Sequence, residues 1–336
     1  MKKIAVMCGG DSSERQVSAQ SALNVMDHID REKYLPRLVF IEGINWYVLP
    51  SSARTLEDIL VHSGCPVIDK NRFSFQDPET GKEEAFDTAL IMIHGTPGEN
   101  GLLQGYLEMQ KIPFTTCSSF VSAITFDKHS CKRFLDFAGV KMADDIFISC
   151  NRPYSVREII RQVGLPMFVK PTVGGSSFGV TKVKTEEEVE PAIRTAFKEC
   201  GTILAEEAVS GREVTCGAYK FNGRICALPV TEIVTDREFF DFEAKYLGES
   251  QEICPARISE TLTSKIQILT ESIYSYMGCR GIVRMDYIIT EKEDIYFLEV
   301  NTVPGMTKMS LVPNMLRTAG IDIKDFITSL IEEAGR

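Results

Sequence analysis

The sequence predicts a mixed α/β (α+β) protein, with an N-terminal parallel α/β domain followed by two β-rich lobes. Three observations carry the prediction. Short apolar runs alternate with helix-like segments over residues 1–115, the pattern of a parallel sheet with helical crossovers. Strand-like runs dominate from about residue 201 onward. The chain has 336 residues, more than one ordinary core accommodates, so two or three domains are expected. The expected segments are 1–115, 116–200 and 201–336.

In the first segment, "KIAVMCG" reads as a strand and "SERQVSAQSALNVMDHI" as a helix. "ALIMIHG" (89–95) reads as a second buried strand, followed by a helix over Leu102–Gln110. Ligands of parallel sheets sit beyond the carboxyl ends of the strands. "CGGDSSE" (8–14) and "HGTPGENG" (94–101) fall at those ends. In the second segment, "SVRE" (155–158) and "TEEE" (185–188) are capping-box signatures that start helices. Between them lie two strands, "MFVKP" and "GVTKV", joined by a glycine–serine loop. In the third segment, "AYKFNGRICAL" carries an Asn-Gly hairpin turn. Residues 235–258 read as a long polar loop, and helices are expected near 310–319 and 322–334.

Composition excludes several classes. The formal net charge is -10 with no basic stripe, which argues against a nucleic-acid partner. The ten cysteines form no C-x-x-C pair, which fits a reducing compartment and argues against structural zinc. The apolar run Ile4–Cys8 is too short for a signal peptide, and no stretch reaches the length of a membrane span. A cytoplasmic protein is expected.

"VKPTVGGSSFGV" (169–180) puts a lysine before a cluster of glycines. Glycine lets backbone N–H groups crowd round an anion, but a P-loop has its lysine after the glycines. Lys170 and Lys128 are therefore phosphate candidates of a different kind, and "CGGDSSE" does not match a dinucleotide fingerprint either.

The hairpin "GIVRMDYIITEKEDIYFLEVN" (281–301) is more specific. Symmetry about residues 292 and 293 sets Asp286 opposite Glu299 and Arg284 opposite Asn301, all on one face. Val283, Met285, Tyr287, Tyr296, Leu298 and Val300 then occupy the other face. Two carboxylates directly opposite repel each other. A cation between them resolves this, and Asp, Glu and Asn oxygens are the hard donors that Mg²⁺ prefers alongside substrate phosphates. A solvated hairpin face is the alternative.

Together these segments resemble the ATP-grasp superfamily and, within it, the D-alanine–D-alanine ligase family. The resemblance rests on "GGDSSERQVS" (9–18), "HGTPGENGLLQG" (94–105), "FDK" (126–128), "VKPTVGGSSFGV" (169–180), "EEAVSGREVT" (206–215), "EAKY" (243–246), "RMD" (284–286) and "LEVNTVPGMTKMSLVP" (298–313). It implies a two-lobed ATP-grasp fold after the N-terminal domain. It also implies ATP-driven joining of two D-alanines through an acyl phosphate, for peptidoglycan precursors, with ATP and two Mg²⁺ (or Mn²⁺) as cofactors and a homodimer as the assembly. By the same resemblance Glu14 takes the ammonium of the first D-alanine, tied to Ser176 and Tyr246, with His94 nearby. Lys128, Lys170 and Lys245 hold phosphates under the loop that carries Ser176 and Ser177. Glu206 or Glu207 lies near the adenine, and Glu213 accepts from the ribose. Arg284 and the Gly305 N–H stabilise the tetrahedral intermediate, Ser310 binds the second carboxylate, and Asp286, Glu299 and Asn301 bind metal. Two departures stand out, "TVGGSS" before the serines and Asn100 where an acid is common. A depsipeptide-forming ligase and a nucleotide-binding regulatory subunit are the rival readings. Tyr246 favours the dipeptide, and the presence of all four hairpin residues argues for chemistry.

Overall fold

The structure is a computed structural model that describes residues 1–175, 178–235 and 250–335. Its first sheet contains β1 (Lys2–Gly9), β2 (Tyr34–Glu42), β3 (Asn45–Val48) and β6 (Thr88–Ile91), in the order β3-β2-β1-β6. Between β3 and β6, β4 (Ser74–Gln76) and β5 (Glu83–Ala85) form a separate small hairpin. β1 runs parallel to both β2 and β6. Its side chains alternate between two cores. Ile4, Val6 and Cys8 pack with Val25, Met315 and Phe326, whereas Ala5 and Met7 pack with Leu103 and Leu107. Burial on both faces is why the strand reads as a continuous apolar run.

β6 ends at Ile91, so His94 lies beyond the strand rather than within it. Gly10 makes the exit of β1 possible. Its φ is +92°, and a Cβ there would lie 2.6 Å from Ile93 Cγ2 and 2.8 Å from the Thr96 carbonyl oxygen.

The second sheet has β7 (Asp145–Ser149), β8 (Met167–Pro171), β9 (Thr181–Val183) and β10 (Thr202–Glu207), in the antiparallel order β7-β10-β8-β9. Helices Val156–Val163 and Glu186–Glu199 supply the rest of its core. Thr185 and Glu188 form the predicted capping box. At the other predicted box, Ser155 caps the helix but Glu158 turns to Arg161 and Gln162 instead. β10 belongs to this sheet and not to the third, so the change of sheet falls after Glu207.

The third sheet contains β11 (Arg212–Phe221), β12 (Arg224–Ala227), β13 (Thr231–Thr235), β14 (Ser250–Ile253), β15 (Val283–Ile289) and β16 (Ile295–Asn301). The order is β14-β13-β11-β15-β16, with β12 paired to β11 through the Asn222-Gly223 turn. Both turn residues have positive φ, 50° and 78°, as a type I′ turn requires. Helix Glu260–Met277 covers one face, capped by Ser259 and closed by Gly278 at φ 69°. Helices Ser119–Phe126 and Lys128–Asp136 join the same core through Val121, Cys131 and Leu135. Helices Leu311–Thr318 and Ile323–Ala334 return to the first sheet, where Leu330 and Ile331 share a core with Ala19 and Ala22. The three sheets and their connecting segments thus border one space. No described helix is long and apolar enough to cross a membrane.

Candidate active site

A cavity of about 500 Å³ opens where the three sheets meet. The hairpin β15–β16 forms its floor. The register sets Arg284 opposite Asn301 and Asp286 opposite Glu299, as predicted. A bulge follows at once, because Tyr287 pairs with Phe297 and leaves Leu298 as the extra residue. This corrects the expected apolar face. Phe297 enters the core with Tyr287, while Leu298 and Tyr296 join Ile288 along the cavity. The one-residue slip gives the cavity an apolar wall beside its acids.

Arg284 donates two hydrogen bonds to Asp286, Nε to Oδ1 at 2.9 Å and Nη2 to Oδ2 at 2.8 Å. The Thr215 hydroxyl donates to Asp286 Oδ1 at 2.6 Å, and the Asn301 amide donates to Oδ2 at 3.3 Å. Burial works against the charged guanidinium, but Asp286, through its charge and its hydrogen bonds, and then Glu299 and Glu99, hold it firmly protonated. Asp286, Glu299 and Asn301 all line the cavity. Two carboxylates and an amide on paired strands fit a hard divalent cation, with phosphate and water oxygens completing its shell.

Lys128 and Lys170 reach the cavity from the second sheet side. The Lys128 ammonium donates to the Gly174 carbonyl at 2.9 Å and lies 3.9 Å from Glu299. Its backbone N–H is latched to the Thr172 carbonyl at 2.7 Å, which ties helix Lys128–Asp136 to the base of the glycine–serine loop. Lys170 pairs with Glu206 at 2.5 Å. Glu206 is buried, whereas Glu207 is exposed at the cavity edge, and Glu213 lies further along the same wall. Gly175 runs over Glu14, since a Cβ there would stand 3.2 Å from Glu14 Oε2. Ser176, Ser177, Lys245 and Tyr246 lie outside the described residues.

On the first-sheet side, His94 is held at both nitrogens. Its Nδ1 donates to the Val303 carbonyl at 2.7 Å, and Nε2 lies 3.3 Å from the Ser21 hydroxyl. Ser21 also accepts the Met306 N–H at 3.1 Å. Burial lowers the His94 pKa, against the pull of Glu14, and so favours the neutral ring. Its visible task is to fix the loop that carries Gly305. Ser310 precedes helix Leu311–Thr318 without capping it through its side chain; its hydroxyl accepts the Thr307 N–H at 3.0 Å, and a Cβ on Gly305 would lie 2.8 Å from that hydroxyl.

Three cavity or near-cavity groups were not among the sequence-derived candidates. Glu99 accepts from the N–H groups of Gly95 at 2.6 Å and Val303 at 3.3 Å, and burial pushes its pKa up to about 8. Glu252 lines the cavity from β14, where burial raises its pKa against the charge of Arg284. Lys132 is buried behind Lys170. Glu99 stands inside the quoted "HGTPGENG", so its motif was the signal. Lys132 follows Lys128 by one helical turn, which was a usable signal of a shared face.

Two family models match the chain. The model of the "D-ala D-ala ligase N-terminus" matches residues 3–117, and that of the "D-ala D-ala ligase C-terminus" matches residues 135–332. The chain belongs to the D-alanine–D-alanine ligase family. It is 46% identical over 332 residues to the D-alanine–D-alanine ligase of Phocaeicola vulgatus, covering 98% of each chain. It is 48% identical to that of Bacteroides fragilis, again covering 98% of each. Among solved structures, the VanG D-Ala:D-Ser ligase from Enterococcus faecalis superposes with a TM-score of 0.88 at 31% identity, over 99% of both chains. The D-alanine–D-alanine ligase from Coxiella burnetii gives 0.85 at 28% identity, over 99% of this chain and 95% of that one. Membership of the D-alanine–D-alanine ligase family covers both sides of the cavity, since one match holds Glu14 and His94 and the other holds Lys170, Arg284 and Ser310.

Proposed function

We propose that the chain joins two D-alanines into D-alanyl-D-alanine, spending ATP to ADP and phosphate, to supply peptidoglycan precursors. The observation that carries this reading is the convergence of Glu14, Lys128, Lys170, Arg284 and the Asp286–Glu299 pair on one cavity.

The first D-alanine binds with its ammonium at Glu14. Its carboxylate oxygen attacks the γ-phosphate of ATP, breaking the bond to ADP and giving an acyl phosphate. Lys128 and Lys170 neutralise the phosphates, and by the family resemblance Ser176, Ser177 and Lys245 serve the same phosphates. The adenine rests against Ile288, Tyr296 and Leu298 beside Glu206 and Glu207, and the ribose hydroxyls donate to Glu213. Asp286, Glu299 and Asn301 would hold a divalent cation such as Mg²⁺, which would supply charge neutralisation for the transferring phosphoryl group. The second D-alanine, held through its carboxylate by Ser310, attacks the acyl carbon with its amine. Arg284 and the Gly305 N–H stabilise the tetrahedral oxyanion, and phosphate leaves. Two metal ions, a homodimer and a cytoplasmic location complete the reading.

The acyl phosphate makes a direct test. D-alanine labelled with ¹⁸O in its carboxylate should deliver one ¹⁸O to the released phosphate. Unlabelled phosphate, with dipeptide still formed, would refute this route.

A further inference from the structure

We infer that Lys132 is a positioning residue that keeps Lys170 available to phosphate. A like-charge pair lies behind Lys170. β10 and β7 set Glu206 directly opposite Asp145, and both side chains are almost fully buried, at 4% and 3% exposure. Two facing carboxylates in such a place are destabilising unless a cation joins them. Lys132 joins them. Its ammonium lies 2.7 Å from Asp145 and 3.5 Å from Glu206, and it donates to the Ala143 carbonyl at 2.8 Å. Arg133 adds a second contact to Asp145 at 2.9 Å from the exposed side.

Glu206 is thereby shared. One carboxylate oxygen faces Lys132 and the other faces Lys170, at 2.5 Å. Lys132 is buried in the protein, whereas Lys170 borders the cavity. With Lys132 in place, the Glu206 charge is divided between two ammonium groups. Without it, the whole charge falls on Lys170 and draws that ammonium toward the sheet and away from an arriving phosphate. Lys132 touches no substrate; it acts through Glu206. The spacing explains how one helix does two jobs. Lys128 and Lys132 are four residues apart in helix Lys128–Asp136 and share a face, the first reaching the cavity and the second the charge pair behind it.

This inference rests on the ATP-dependent reading above. The test is ATP binding and steady-state kinetics of wild type, Lys132→Met and Lys132→Met/Asp145→Asn in the full chain. The double variant removes the cation together with one of the two acids, and so restores charge balance in the core if the single variant fails to fold. In a variant that melts cooperatively, KM for ATP should rise about tenfold or more, the scale of one weakened charge-assisted contact, while KM for D-alanine stays within about twofold. A purely structural role would shift both constants together or neither. A folded double variant with wild-type KM for ATP, or with both constants raised alike, would overturn the inference. Wild type that neither binds nor turns over ATP would overturn the functional reading, and this inference with it.

Discussion

Arg284 and Asp286 stand two residues apart on β15 and are joined by two parallel hydrogen bonds, 2.9 and 2.8 Å long. The guanidinium is thereby oriented before substrate arrives. Its planar fork suits this contact and a lysine cannot reproduce it. Arg284→Lys should therefore lower kcat by about 10²-fold, the cost of one preorganised oxyanion donor. Single-turnover measurement of dipeptide formation checks this, and a loss under about threefold would remove Arg284 from the chemical step.

Glu299 faces Asp286 across the hairpin. Glu299→Gln keeps the shape and removes one charge of the metal set. ATP turnover should fall below about 1% of wild type while the melting transition persists. Normal phosphate release from a folded variant with ample Mg²⁺ would refute the metal assignment.

The bulge after Asp286 puts Leu298 on the cavity wall. Leu298→Ala should raise KM for ATP about fivefold, near 1 kcal/mol of lost apolar contact, with little change in KM for D-alanine. An equal rise in both would place this wall elsewhere than at the nucleotide.

Glu99 gives a pH prediction. Its pKa is raised from an ordinary 4.5 to about 8 by burial, so the folded state binds more protons than the unfolded state between those values. Stability from this group is present below about pH 4.5 and is lost as pH rises toward about 8. Glu99→Gln should flatten the fall in unfolding free energy across that window. Denaturant titrations at several pH values check the sign, and an unchanged slope would contradict it.

The hairpin was legible because its turn is short and its charged residues alternate, so symmetry alone placed Asp286 opposite Glu299. The bulge was not legible, since period-two alternation assumes equal residue counts on both strands. The sheet to which β10 belongs was not legible, because an apolar strand does not name its partners. Helix Glu260–Met277 is hard to read from sequence although Ser259 and Gly278 mark its ends; its apolar positions Leu262, Ile266, Ile273 and Met277 are interleaved with threonines and serines that dilute the pattern. The Lys132 cluster joins a helix to two strands distant in sequence, and no local spacing encodes that. Lys245 and Tyr246 rest on the family resemblance alone.

Tyr246 carries the choice of second substrate by that resemblance. Tyr246→Phe should raise the yield of D-alanyl-D-lactate relative to D-alanyl-D-alanine when both acceptors compete. An unchanged product ratio by mass would refute the role.

ATP-dependent phosphate release with Mg²⁺ and a panel of D- and L-amino acids, with products identified by mass, decides whether the chain is a D-alanine-joining ligase. D-alanine alone should trigger release, one dipeptide appearing for each phosphate. Release with another acid and amine, and none with D-alanine, would contradict the assignment.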